Sequence, residues 1–230
     1  MNKGIQKIFA EVPKTYELVN HVLTFGFDIL WRKKAVKIAV HQGGTHWLDV
    51  CTGTGETANY LTNHANTNTK VYATDFSLPM LTEATQKPNG KRIHFTLSDV
   101  KQLPFPDNTF DLVTISFATR NLNTSRETLE SSFREFHRIL KPGGLFVNLE
   151  TSQPQFFIIR KLFHLFIKIF VKPIGSLISG SNAGYAYLSR TIPRFYSTEE
   201  LASILKASGF QNVYFTRMLF GAAAIHQSLK

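Results

Sequence analysis

Apolar residues recur along this chain at two periods, and the period changes from one segment to the next. Ile5, Ile8, Phe9 and Val12, then Tyr16, Val19, Val22 and Leu23, fall three and four apart. That spacing predicts helices over residues 1–42, with Pro13 opening a new one. Gly43-Gly44 closes the segment. From there short apolar runs alternate with helical patterns. His46–Cys51 reads as a strand, followed by a glycine turn and a helix to about His64. Val71–Thr74, Ile93–Leu97, Phe110–Ser116 and Leu145–Leu149 read as further strands, with helices at Leu78–Thr85 and 126–140 between them. The nearly continuous apolar run of Phe110–Ser116 suits a strand covered on both faces. Lys141-Pro142-Gly143-Gly144 reads as a sharp break after the second of those helices. This alternation over residues 43–150 predicts a parallel, doubly wound α/β sheet. Residues 151–197 break the rhythm and read as an insertion. In residues 198–230, Thr198–Ser208 predicts a helix stopped by Gly209. Val213–Arg217 and Ala222–His226 follow as a closing antiparallel pair.

Composition narrows the class. Hydrophobic residues make up 43% of 230, with 20 phenylalanines, which is ample for a packed core. A single cysteine excludes a disulfide framework or a cysteine zinc site and fits a reducing, cytoplasmic setting. No run of about 18 uncharged apolar residues occurs, so no spanning helix is expected. The net charge of +10 is uneven. Residues 151–230 carry nine basic residues against only Glu199 and Glu200. Such an excess suits an anionic membrane surface or nucleic acid.

Candidate chemistry starts at Gly53-Thr54-Gly55, between a strand and a helix. With Ala58, and Asp75 twenty residues after Gly55, it also satisfies the dinucleotide fingerprint. Charge separates the readings. A pyrophosphate at this turn would be repelled by nearby carboxylates, yet Asp49 and Glu56 flank the glycines. Acids suit S-adenosylmethionine, which carries a sulfonium and an ammonium and no phosphate. Its carboxylate would go to loop N–H groups, its ribose hydroxyls to Asp75, its adenine amino group to Asp99 and its methionine side to Ser116. These residues all fall at carboxyl ends of predicted parallel strands, where such sheets bind ligands.

At this point the chain resembles the class I quinone-biosynthesis C-methyltransferases of the UbiE/MenG type. The resemblance rests on Tyr16–Asn20, Phe25–Arg32, Leu48–Glu56 and Leu103–Asn108. It continues through Ser116–Asn121, Arg138–Gly144, Tyr185–Leu188 and Ala224–His226. It implies a Rossmann-like seven-stranded fold with an N-terminal helical cap (1–42) and an inserted lid (151–197). It implies methyl transfer from S-adenosylmethionine to a ring carbon of a polyprenylated quinol, demethylmenaquinol foremost, with no metal. Cofactor contacts carry over to Thr54, Asp75, Asp99, Val100 and Ser116. Glu17, Glu56, Ala118 and Arg190 depart from the usual residues, and Arg190 reverses a charge beside the expected substrate site.

In this reading Arg120 stabilises the quinolate, Asn121 positions it and Tyr16 closes over the methyl donor. His226 and His137 are weaker candidates for a base. Arg160, His164, Lys168 and Lys172 recur every four residues on a very apolar helix, 156–172. That helix is read as a lid or dimer face, or as an interfacial segment at the inner face of the membrane. The rivals are methylation of another aromatic molecule or of RNA, and an NAD-dependent oxidoreductase. Because the aromatics lie among aliphatics, no nucleic-acid partner is expected.

Overall fold

The computed structural model describes residues 12–230; the predicted helical positions Ile5, Ile8 and Phe9 lie outside them. Seven strands form one sheet: β1 (His46–Val50), β2 (Lys70–Asp75), β3 (Ile93–Leu97), β4 (Phe110–Ser116), β5 (Leu140–Thr151), β6 (Gln211–Met218) and β7 (Ala223–Leu229). Their order is β3-β2-β1-β4-β5-β7-β6, with β7 antiparallel to both neighbours. Strands β1 and β4 are parallel, but the order of strand addition reverses between them, where a doubly wound sheet opens a crevice for a ligand.

The period of two in the strands assigns each face its partners. Leu48, Val50, Val113, Ile115 and Phe146 pack on one side. They meet Leu129, Phe133 and Phe136 of α6 (Arg126–Ile139), and Leu201, Ile204 and Leu205 of α10 (Thr198–Ala207). Trp47, Val71, Leu112 and Val147 face the other way, onto α2 (Phe27–Val40) and α3 (Glu56–His64). A capping box between Ser197 and Glu200 starts α10.

Two local expectations need correction. The cap does not run as one helix after Pro13. It divides into α1 (Pro13–Leu23) and α2, because Phe25 and Gly26 take left-handed backbone at φ +53° and +75°. The Lys-Pro-Gly-Gly run ends α6 but is not a free turn. Strand β5 already pairs at Leu140 with Phe110 and resumes at Leu145 with Leu112, so the run is a bulge inside the strand.

After α4 (Leu78–Thr85) and the short α5 (Thr119–Leu122), the insertion forms α7 (Phe157–Phe166), a π-helical turn (Ile167–Val171), α8 (Lys172–Ser179) and α9 (Asn182–Thr191). Val19 of the cap packs against Ile167, Val171 and Tyr185 of this insertion in a small core of its own. Gly175 is required there, since a Cβ would fall 2.1 Å from the Tyr185 ring. Phe157–Ser179 is continuous over 23 residues, with a mean hydropathy of 1.5 in an 18-residue window, and is the one described helix long and apolar enough to cross a membrane. It lies along the domain nonetheless: Ile159, Phe163, Phe166, Ile167 and Val171 line an apolar cavity that opens to the surface. Its other side exposes Phe157, Ile158, Leu162, Leu165, Ile169, Phe170 and Leu177.

Candidate active site

The glycine loop between β1 and α3 turns through left-handed residues: Cys51 (φ +52°), Gly53 (+57°) and Gly55 (+81°). At Gly55 a side chain would also meet the Ala84 Cβ at 2.8 Å, so glycine lets the loop approach α4. Asp75, at the end of β2, accepts from Gly53 N–H at 2.9 Å and from Ser77 N–H at 2.9 Å. Asp49 lies beneath the loop, 1% exposed, and accepts from the Thr52 and Thr114 hydroxyls at 2.6 and 2.7 Å. Burial pushes the Asp49 carboxyl up to about 6, against the lowering effect of those two hydroxyls.

Above the loop runs a narrow cleft. Gly53, Thr54, Asp75 and Ser116 line it, together with Tyr16, Arg32, Cys51, Glu56, Phe117, Ala118 and Asn121. Gly55 shapes the bend behind it, and Asp49 supports it from below. Asp99 and Val100 lie on an adjoining depression that shares Asn121 and Leu122 with the cleft. The free thiol Cys51 is half-buried on the cleft wall. Asp49 and Glu56 do not form an open acidic pair. Glu56 faces Arg32 Nε at 3.4 Å and His21 Nε2 at 3.7 Å. Burial pushes its carboxyl up and the Arg32 charge opposes the shift.

A second, apolar cavity of about 370 Å³ lies between the cap and the insertion. Trp31, Phe117, Phe163, Phe166, Leu188 and Ile192 contribute to its wall. Tyr16 and Phe117 border both spaces. Burial raises the Tyr16 phenol, with Arg32 opposing, so this hydroxyl stays protonated at neutral pH. Arg120 lines the cavity and is 6% exposed. Its Nη1 donates to Thr191 Oγ1 at 3.0 Å, and its Nε is buried with no hydrogen-bond partner. Glu150 Oε2 fixes the position by accepting from Arg120 N–H at 3.0 Å. Asn121 faces the cleft instead, with an unpartnered Oδ1, so cleft and cavity separate these sequence neighbours.

Neither histidine candidate for a base reaches the two spaces. His226 sits in β7, donates Nε2–H to the Thr198 carbonyl at 2.9 Å, and burial pushes it down to about 4. His137 stacks edge-on against Phe210. Arg190 is exposed and bonds to its own helix at the Ala186 carbonyl, so the charge reversal does not reach the cavity.

Sequence reasoning gave Arg32 no role, although a signal was present. Asp28, Arg32, Ala35, Val36 and Ala39 share the buried stripe of α2, and an arginine among alanines on such a stripe has an internal partner. Glu17, His21 and Glu56 come within 4.8 Å of one another, as metal ligands would. Each already has a partner: Lys87 at 2.6 Å, Asp28 at 2.9 Å and Arg32 at 3.4 Å. The cluster is thus a charge network joining cap and core.

Similar proteins of known name span nearly the whole chain. The demethylmenaquinone methyltransferase of Geobacillus stearothermophilus is 35% identical, with 98% of this chain and 96% of that protein covered. The enzyme of that name from Thermus thermophilus is 36% identical, over 95% and 98%. The ubiquinone/menaquinone biosynthesis C-methyltransferase UbiE of Desulfotalea psychrophila is 35% identical, over 99% and 90%. Among solved structures, a SAM-dependent methyltransferase of Thermotoga maritima, described as a possible histamine N-methyltransferase, superposes with a TM-score of 0.70. It is 20% identical, with 98% of this chain and 99% of that one covered. The [4+2]-cyclase SpnF also superposes, with a TM-score of 0.61 at 18% identity, over 86% and 81%; this scaffold thus hosts more than one chemistry. The model of the ubiE/COQ5 methyltransferase family matches residues 1–230, and this chain belongs to that family.

Proposed function

We propose that this protein methylates a ring carbon of a polyprenylated quinol, demethylmenaquinol by the names of its relatives, with S-adenosylmethionine as donor. The observation that carries the reading is the apolar cavity with buried Arg120 in its wall, meeting the cofactor cleft across Tyr16 and Phe117. The cleft residues suit this cofactor. Asp75 can accept from ribose hydroxyls, and Glu56 and Arg32 offer one charge of each sign to a zwitterionic amino-acid end. Glu56, in the first turn of the helix that follows the loop, would repel a pyrophosphate there, which tells against a dinucleotide.

When bound, the cofactor supplies an electrophilic methyl group on a sulfonium. The protein's part is placement and charge. Arg120, held by Thr191, presents a guanidinium to a phenolic oxygen that gives up its proton to water, and the ring carbon thereby gains electron density. After methyl transfer the ring C–H proton leaves and the oxygen is reprotonated, so the net products are the methylated quinol, S-adenosylhomocysteine and one proton. Tyr16 and Phe117 set the line between acceptor and donor, and the aromatic walls exclude water. Alignment of this kind supplies roughly 7–11 kcal/mol in well-oriented systems. Mass spectrometry of membrane quinones from a strain lacking the protein is expected to show a quinone one methyl group lighter. An unchanged quinone pool would remove the reading and favour another aromatic substrate or RNA.

We further propose that the exposed side of Phe157–Ser179 rests on the anionic inner face of the membrane, whence the substrate enters. The predicted basic stripe is divided in the structure. Arg160 donates to the Pro154 carbonyl at 2.8 Å, and His164 pairs with Gln153 at 2.8 Å. Lys161, Lys168 and Lys172 remain exposed beside the apolar residues. Each such charge is worth about 1 kcal/mol near an anionic surface. Replacing the three lysines with Gln is expected to reduce cosedimentation with anionic vesicles, most at low salt. Unchanged cosedimentation at every salt concentration would leave a lid or dimer face.

A further inference from the structure

The carboxylate of the bound amino acid needs a donor, and the glycine loop has few left to give. Its Thr52 N–H goes to the Thr74 carbonyl at 2.9 Å, its Gly53 N–H to Asp75 and its Gly55 N–H to the Thr52 carbonyl at 3.0 Å. Acids dominate the rest of the cleft: Asp75 and Glu56 line it, with Asp49 behind. Arg32 is the one basic side chain among the residues lining it. The Arg32 guanidinium is buried and preorganised. Its Cζ lies 4.9 Å from the centroid of the Phe117 ring, and Nη1 donates to Thr57 Oγ1 at 3.1 Å. Thr57 in turn donates to Ser116 Oγ at 3.0 Å, linking the arginine to the end of β4. The Arg32 Nε is buried and makes no hydrogen bond, although Glu56 stands 3.4 Å away. A guanidinium has five N–H donors in a planar fork that matches a carboxylate. This one has capacity left, faces the cleft, and lies beside an acid suited to an ammonium group.

We propose that Arg32 is the receptor for the cofactor's carboxylate. The cap helix α2, and not the glycine loop as the sequence suggested, then recognises the amino-acid end. The inference rests on the S-adenosylmethionine reading and deepens it. It also gives the cap a function beyond covering the site. A ligand with its adenosine on the sheet and its carboxylate on Arg32 would bridge core and cap, while one lacking the carboxylate would leave Arg32 held by Glu56 and Thr57 alone.

The test is a cycle of two ligands and two variants, read by calorimetry on the full chain. S-adenosylhomocysteine is compared with its decarboxylated analogue, which keeps the adenosine, sulfur and amine. The parent is expected to bind the analogue roughly 10- to 100-fold more weakly, the range for hydrogen bonds to a charged group. In Arg32→Gln that gap should close to within about twofold, because S-adenosylhomocysteine alone loses affinity. Binding of the analogue at the parent's level reports that the variant is folded. Arg32→Lys keeps a positive charge beside Glu56 and should restore part of the gap, since a point charge cannot reproduce the fork. Equal losses for both ligands would make Arg32 a structural tie between cap and loop and overturn the proposal. So would an undiminished gap in Arg32→Gln. A parent that binds neither ligand would instead remove the cofactor reading, and this inference with it.

Discussion

Arg120→Ala is expected to slow single-turnover methylation of a short-chain demethylmenaquinol by about 100- to 1,000-fold, the usual cost of losing one preorganised oxyanion contact. Affinity for S-adenosylhomocysteine should stay close to that of the parent. The split follows from the two-room geometry, because Arg120 lines the apolar cavity and does not border the cofactor cleft. In the proposed reaction its charge acts on a phenolate that forms along the reaction path, so its loss should fall on kcat. Arg120→Lys should recover little, since an ammonium cannot hold Thr191 and the substrate oxygen as a planar fork does. A variant that methylates at the parent rate would remove Arg120 from this role. Tyr16 would then be the next group to examine, as a polar side chain bordering both spaces.

Asp75→Ala should be comparably severe for the cofactor. Lost hydrogen bonds to a charged acceptor cost roughly 1.5–3 kcal/mol, a 10- to 100-fold loss of affinity. The structure adds a second effect. The same carboxylate holds Gly53 N–H and Ser77 N–H, so its removal also frees the glycine loop. Asp75→Asn should not rescue fully, because one side of the amide would present N–H to a backbone N–H. Calorimetry with S-adenosylhomocysteine decides the matter: parent-like affinity in Asp75→Ala would place the ribose elsewhere.

How much of this was legible in the sequence depended on how local the cause was. Strands β3 and β4 and helix α4 match their predicted bounds, because period and flanking turn residues define them without help from afar. The glycine loop was legible for the same reason. Tertiary context decided the rest. Nothing near Asp49 in the sequence reveals that Thr114, sixty-five residues on, will share its burial. Adjacent Arg120 and Asn121 look like one functional pair, yet a helical turn directs them into different spaces. The basic stripe over 156–172 assumed four equivalent residues, while the 153–155 segment claims Arg160 and His164.

One consequence of the cavity's mouth concerns substrate selection. Phe25, Leu162 and Phe220 line the cavity and are also exposed, so it opens outward through an apolar rim. In the proposed reaction a long prenyl tail would leave through that rim, along Phe157–Ser179. Discrimination would then fall on the head of the molecule, and carbons beyond the rim would contribute nothing to it. Quinols with tails of very different lengths would be handled as equals, and a cell could alter the tail it synthesises without altering this protein.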